Sequence, residues 1–303
     1  KDNLNVCNLR FSNKAMKRPV FIKLTSIMVL AHCIACTTAI AQNTIWINTG
    51  EWMQSADTMP ALRFNSTAVF DTVNTFFNAP ENAGWELTVI NTDSVAHNFT
   101  INTSQTFTEN IPAGEEVTFE VPALLFGTYR YYSSDERGEV LGLSGLIKVG
   151  IDSDLQFHWN LADWMPSRMD SAQAGTPIDW DSGYIPKYFS INSHTYPNTA
   201  NDPLGTVTMN LGDTCLISIV NGGFMEHVLH FHGFHVEILS ATVQTSRVGW
   251  TKDTLPIHKG EGLTLLLVAA QAGVYPVHNH NLVAVTNAGF YPGGMLTMIT
   301  VQP

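Results

Sequence analysis

After residue 42 the chain is built of short apolar runs separated by clusters of Gly, Pro, Asn and Asp. Trp85-Glu86-Leu87-Thr88-Val89-Ile90 and Val117-Thr118-Phe119-Glu120-Val121 alternate apolar with polar positions. Leu263-Thr264-Leu265-Leu266-Leu267-Val268 is apolar nearly throughout. Side chains of a strand point to opposite faces in turn, so the first two read as half-buried strands and the third as a fully buried one. Few stretches have the period of an amphipathic helix. Short strands broken by turn residues throughout predict an all-β chain of sandwiches or barrels.

The strand events occur in the same order twice. In the first half a strand (86–91) leads to His97-Asn98-Phe99. A Pro-Ala-Gly turn (112–114), a strand, Gly127-Thr128-Tyr129-Arg130-Tyr131-Tyr132 and a closing strand (146–149) follow. In the second half a strand (215–221) leads to the segment 227–235. A Gly-bearing turn (259–262), a strand, Gly273-Val274-Tyr275-Pro276-Val277-His278 and a closing strand (296–301) follow. Such self-similarity predicts two tandem domains, 42–150 and 151–303. The stretch 162–203, rich in Pro, Asp, Ser and Asn, reads as connections within the second.

The upstream segment 1–41 has another character. Met16 is followed by Lys17, Arg18 and Lys23, an apolar run over 24–40 and Ala39-Ile40-Ala41. A basic stretch, an apolar stretch and a small-residue site read as a secretory signal peptide cleaved near Ala41. The apolar run is too short, and too polar at His32, for a bilayer span. These features predict a secreted or periplasmic protein with no membrane span in the mature chain.

Removing this segment changes the charge. It holds six of the 15 Lys and Arg and one of the 26 Asp and Glu, leaving nine basic and 25 acidic side chains. An acidic surface repels nucleic acid and attracts cations, so the expected partners are a metal ion and an unknown small-molecule substrate. Three of the four cysteines also fall in this segment. Cys215, in an apolar strand pattern, remains with no partner for a disulfide and is expected to be buried and inert.

Seven of the 11 histidines lie between residues 227 and 280, in His227-Val228-Leu229-His230-Phe231-His232-Gly233-Phe234-His235, His258 and His278-Asn279-His280. Strand alternation puts His230 and His232 on one side and His278 and His280 on one side. Should the two strands be neighbours, four imidazoles converge. Imidazole alone suits copper, zinc, nickel and iron. His235 falls on the opposite side. Glu226, beside His227, reads as a solvated acid, with orienting an imidazole as the alternative, and Met295, Trp159 and Trp164 read as core.

His-x-x-His-x-His-Gly before a strand, then Tyr-x-x-His-x-His before a closing strand with Gly294-Met295, resembles the C-terminal domain of multicopper oxidases over 207–302. Val95-Ala96-His97-Asn98-Phe99 and 127–132 resemble a plastocyanin-type cupredoxin. The resemblance implies two tandem cupredoxin-type Greek-key β-sandwich domains and copper as the cofactor. It implies a type 2 copper ligand at His230, type 3 ligands at His232, His278 and His280, and a type 1 ligand at His227. His97 is a further possible metal ligand.

The chain also departs from that pattern. Asn279 stands where the type 1 cysteine is expected, and Ala284 where the second type 1 histidine is expected. The first domain has Tyr132 and Ser134 in place of a His-x-His pair, and Ser133 at the plastocyanin cysteine position. A type 1 centre needs two His and a Cys, so none is expected. The expectation is a histidine-only copper protein which, if an enzyme, is a copper-dependent oxidoreductase with no assigned catalytic residue. A non-catalytic scaffold or metal storage and delivery are the alternatives. Related two-domain oxidases and nitrite reductases complete their sites across a trimer, which implies a possible homo-oligomer in which a neighbour supplies His97 or His258.

Overall fold

The structure is a computed structural model in which residues 43–54, 57–103 and 105–303 are described. The upstream segment and signal peptide expected over 1–41 lie outside the described residues. Residues from Ala41 to Pro303 form one compact unit.

The first half contributes β1 (Asn43–Gln54), β2 (Asp57–Asn65), β3 (Phe76–Ala79), β4 (Trp85–Asn91), β5 (His97–Ile101), β6 (Phe107–Ile111), β7 (Glu116–Val121), β8 (Gly127–Tyr132) and β9 (Ser144–Val149). They make two sheets, β2-β1-β4-β7 and β3-β9-β8-β5-β6. The second half contributes β10 (Gln156–Trp164), β11 (Tyr188–Ile191), β12 (Val207–Asn210), β13 (Thr214–Asn221), β14 (His227–Phe231), β15 (Val236–Ala241), β16 (Thr251–Lys252), β17 (Thr254–Ile257), β18 (Gly262–Val268), β19 (Gly273–Asn279) and β20 (Leu296–Gln302). Their sheets are β11-β10-β13-β18-β15-β16 and β12-β20-β19-β14-β17.

The two sandwiches repeat one topology. β1 runs parallel to β4 as β10 runs parallel to β13. β3 runs parallel to β9 as β12 runs parallel to β20. Register repeats as well: Thr100 faces Tyr132 between β5 and β8, and His230 faces His278 between β14 and β19. Alternation sorts the faces. In β14, His227, Leu229 and Phe231 are buried while Val228 and His230 are half-exposed. Trp159, Leu229, Phe231, Leu265 and Ile299 lie in the second core, with Trp159 stacked on Phe231 at 5.9 Å between ring centres. Cys215 lies fully buried in the same core, and burial pushes its thiol up to about 12.

Two short helices break the strand pattern. α1 (Glu136–Leu141) joins β8 to β9 and is capped by the Asp135 carboxylate, which accepts from Gly138 N. Gly142 ends it with φ 99°, a left-handed conformation that glycine adopts without steric cost. α2 (Pro166–Ala174) starts on a proline, whose missing N–H costs nothing in a first turn. Sequence periodicity did not reveal either helix, since both are short. α2 lies in the stretch read as connections within the second domain. That stretch instead buries Ala162, Trp164, Met169, Ala172, Ile178 and Tyr188 in the first core. Trp164 packs on Trp52 at 5.0 Å, and Tyr188 donates its hydroxyl to Gln54 O. No helix among the described residues is long and apolar enough to cross a membrane.

Candidate metal centre

β14 and β19 are antiparallel neighbours, and this pairing brings the two His-x-His segments together. His230 and His278 are directly opposed. His232 sits just past the end of β14, with its N–H donated to Pro276 O, and His280 just past the end of β19, with its N–H donated to Val228 O. The four rings gather on the outer face of the sheet. Ring centres of His230 lie 4.6 Å from His232, 5.8 Å from His278 and 5.7 Å from His280, and those of His232 and His278 are 5.0 Å apart. His232 and His280 are exposed; His230 and His278 are half-buried.

Outer partners fix the rings. His278 donates Nδ1–H to the carbonyl of Asn279 at 2.9 Å, which leaves the lone pair on Nε2. That Nε2 lies 2.9 Å from Nε2 of His232. Since His278 Nε2 carries no hydrogen, His232 donates the one between them. His230 bonds the Thr254 hydroxyl through Nδ1 at 2.8 Å. Holding Nδ1 is how proteins aim Nε2 of a histidine at a metal. Burial, then the neighbouring His230 and His278, push the pKa of His232 down, so its ring is uncharged at neutral pH.

His227 does not join this group. It lies on the core face of β14, 1% exposed, and both its nitrogens are bonded. Nε2 donates to the Asp163 carboxylate at 2.9 Å, and Nδ1 accepts from the Asn279 amide at 2.9 Å. Asp163 also accepts the backbone N–H groups of Phe224 and Met225. Burial opposes its charge, yet these bonds, led by the one from His227, hold its pKa below the usual carboxylate range.

His97, the possible ligand of the first half, is held between two carboxylates. Its Nε2 bonds Asp93 at 2.9 Å and its Nδ1 bonds Asp135 at 3.1 Å. Burial disfavours its charge, but Asp135 and Asp93 outweigh burial and raise its pKa. Both ring nitrogens of His97 are taken up by carboxylates, so neither faces an open position for a metal, and the ligand expectation at His97 does not suit this arrangement. Glu226 pairs with His258 rather than with His227. His235 is exposed, and Met295 is fully buried.

Sequence reasoning missed Asp163 and Thr254. Asp163 carried one signal, an acid in phase with the alternate apolar positions Phe157, Trp159 and Leu161 of β10. Thr254 carried none of its own; its partner is fixed by the β14–β17 register, where it faces His230.

Among the described residues, no three His, Cys, Asp or Glu side chains already direct their donors at one place. The cluster instead offers a pair of nitrogens 2.9 Å apart. Both can lie at about 2 Å from one ion, the usual metal–imidazole distance. His230 and His280 stand beside that pair. An all-imidazole donor set suits copper, so these residues fit a copper ion without sulfur. They do not fit a type 1 centre.

Comparisons with known proteins agree with this geometry. Residues 173–292 match the multicopper oxidase family model. A blue copper oxidase from Nitrosomonas europaea has the same fold, with a TM-score of 0.70, 19% identity and coverage of 85% of each chain. The multicopper oxidase mgLAC gives a TM-score of 0.69 at 20% identity, covering 85% of this chain and 84% of that one. A copper nitrite reductase from Nitrosomonas europaea gives 0.64 at 17% identity, covering 86% of this chain and 93% of that one. No curated protein matches the sequence. The fold is thus a pair of cupredoxin-type Greek-key sandwiches. Over 173–292 the sequence is similar to the multicopper oxidases, and over most of the chain the fold is the one those oxidases and the copper nitrite reductases share.

Proposed function

We propose that this chain is an exported copper-binding protein whose histidine cluster, His230, His232, His278 and His280, is a copper site for the oxidation or reduction of a small molecule. The observation that carries this reading is the 2.9 Å approach of the His232 and His278 Nε2 atoms, with two further imidazoles beside them. Copper held there would supply one-electron chemistry that protein side chains lack. Thr254 and the Asn279 carbonyl hold Nδ1 of His230 and His278 and keep their Nε2 atoms facing the site. The exposure of His232 and His280 leaves the outer side open to a small molecule. With Asn279 where a type 1 cysteine would stand, the chain offers no cysteine relay, and a copper held by these histidines would exchange electrons directly with that molecule. The basic residues Lys17, Arg18 and Lys23 before the apolar run 24–40 support export.

A copper-loaded and dialysed sample tests the proposal. It is expected to retain about one copper per chain or more, with an electron paramagnetic resonance spectrum of nitrogen-ligated copper and no intense blue band. His232→Ala with His278→Ala is expected to lose that copper. Complete loss of copper from the unaltered protein on dialysis refutes the reading. It favours a non-catalytic scaffold, which is also consistent with His232 and His278 satisfying one another without an ion.

A further inference from the structure

Each half buries one histidine at the start of the same strand, and the surroundings of the two correspond. Six residues before it stands an asparagine, Asn91 or Asn221. Asn91 donates to Val95 O and Ile111 O and accepts from Asp93 N. Asn221 donates to Met225 O and Ile257 O and accepts from Gly223 N. In both halves Nε2 of the histidine goes to an aspartate, Asp93 for His97 and Asp163 for His227. The Nδ1 partners differ: His227 Nδ1 accepts from Asn279, the residue after His278, whereas His97 Nδ1 bonds Asp135, which also accepts from Ser133, the residue after Tyr132.

These are the positions that correspond to the type 1 copper of multicopper oxidases, and neither offers the two His and one Cys that such a copper needs. In the second half the Asn279 amide occupies the centre. Its Oδ1 accepts from Asn281 N at 2.9 Å, which fixes the orientation of the amide. Its two amide hydrogens therefore face His227 Nδ1 at 2.9 Å and Met295 Sδ at 3.5 Å. One NH2 group thus takes up the two acceptors that an ion would otherwise use. In the first half the Asp135 carboxylate stands between His97 Nδ1 and the Ser133 hydroxyl, bonded to both. The Asn98 N–H closes on Ser133 Oγ at 3.0 Å.

We propose that both positions are metal-free polar clasps, and that the second, Asp163–His227–Asn279–Met295, positions the copper ligands His278 and His280. The second part rests on the reading of the outer cluster as a copper site. Asn279 lies between these two histidines in sequence. Its N–H donates to Met295 O at 3.0 Å, and its carbonyl accepts His278 Nδ1–H. Main chain and side chain together hold the end of β19 at a fixed depth, and the buried Asp163 anchors the row. Asn279 and Asp163 are positioning residues, separated from the ion by the sheet.

Nitrogen-detected nuclear magnetic resonance of the full chain tests the clasp without reference to activity. Before metal is added, His227 is expected as the Nε2–H tautomer. On titration with Cu(I), His230, His232, His278 and His280 are expected to shift while His227 and His97 stay in place. A shift of His227 in step with added Cu(I), or an Nδ1–H tautomer in the metal-free protein, overturns the clasp. If the protein retains no copper, the functional reading fails, and the tautomer of His227 still decides the clasp. The positioning role is tested with Asn279→Leu. This variant keeps the carbonyl that holds His278 and removes the amide that fixes its depth, and it is expected to weaken Cu(II) binding by about tenfold and to alter its electron paramagnetic resonance spectrum. A folded Asn279→Leu protein with unaltered affinity and spectrum overturns that role.

Discussion

His97 sits between Asp93 and Asp135, and this arrangement fixes how folding responds to pH. Its pKa is raised in the folded chain. The stabilisation is therefore complete below about 6.5, the unfolded value, and is lost as pH rises through the higher folded value. Asp93 and Asp135 are depressed, burial notwithstanding, by the bonds from His97 and their other partners. Their contribution is present above the unfolded carboxylate value and is lost as pH falls through the depressed ones. Stability from this trio is expected to peak in the mildly acidic range. Urea unfolding across pH should show the wild-type protein losing stability relative to His97→Gln on both sides of that range. Parallel curves for the two proteins would remove this account of the trio.

At the scale of elements, the pairing of β17 with β14 is what places a hydroxyl under His230. Thr254→Val keeps a β-branched side chain suited to a strand and removes only the donor or acceptor at Oγ1. It is expected to weaken copper binding by about tenfold, with the thermal midpoint little changed. An unchanged affinity would show that Thr254 does not orient His230. This pairing also marks the limit of what the chain discloses in one dimension. Period-two alternation in His230-Phe231-His232 and His278-Asn279-His280 predicts two pairs of imidazoles, each on one side of its strand, because alternation is a property of a single strand; the β14–β19 pairing is what joins the pairs. Asp163 meets His227 across 64 residues, a contact set by the order of strands in the sandwich. Local pattern does not carry that order. The helices α1 and α2 escaped for a related reason: each is too short to show a period, and each is held by capping and by packing rather than by propensity.

At the scale of the whole molecule the two sandwiches share more than a linker. Thr128 of β8 and Thr264 of β18 are bonded through their buried hydroxyls at 2.8 Å. A Cβ on Gly262 would fall 1.9 Å from the carbonyl oxygen of Thr128. Only glycine permits that approach, and backbone cannot step aside as a side chain does. Gly262→Ala is expected to cost about 1–3 kcal/mol in chemical unfolding, in the range of other overpacking changes. A loss within error of zero would mean that the sandwiches can part without penalty. The indole of Trp52 also donates to Ser193 O at 2.8 Å, and Lys187 reaches Asp57. The internal repeat was legible as a sequence of events, while this joining surface was not, since it depends on which faces of two separate sheets meet.

The closed hearts of both sandwiches bear on how such a protein matures. A metalloprotein whose core is left open for its ion reaches its final shape only when the ion arrives, and ion supply then limits the yield of folded chains. Here the amide of Asn279 and the carboxylate of Asp135 complete the two interiors from within the polypeptide. The chain can finish folding where copper is scarce. Under the proposed reading, copper would then load late, at the outer surface, governed by the ion concentration around the finished protein rather than by the moment of its synthesis.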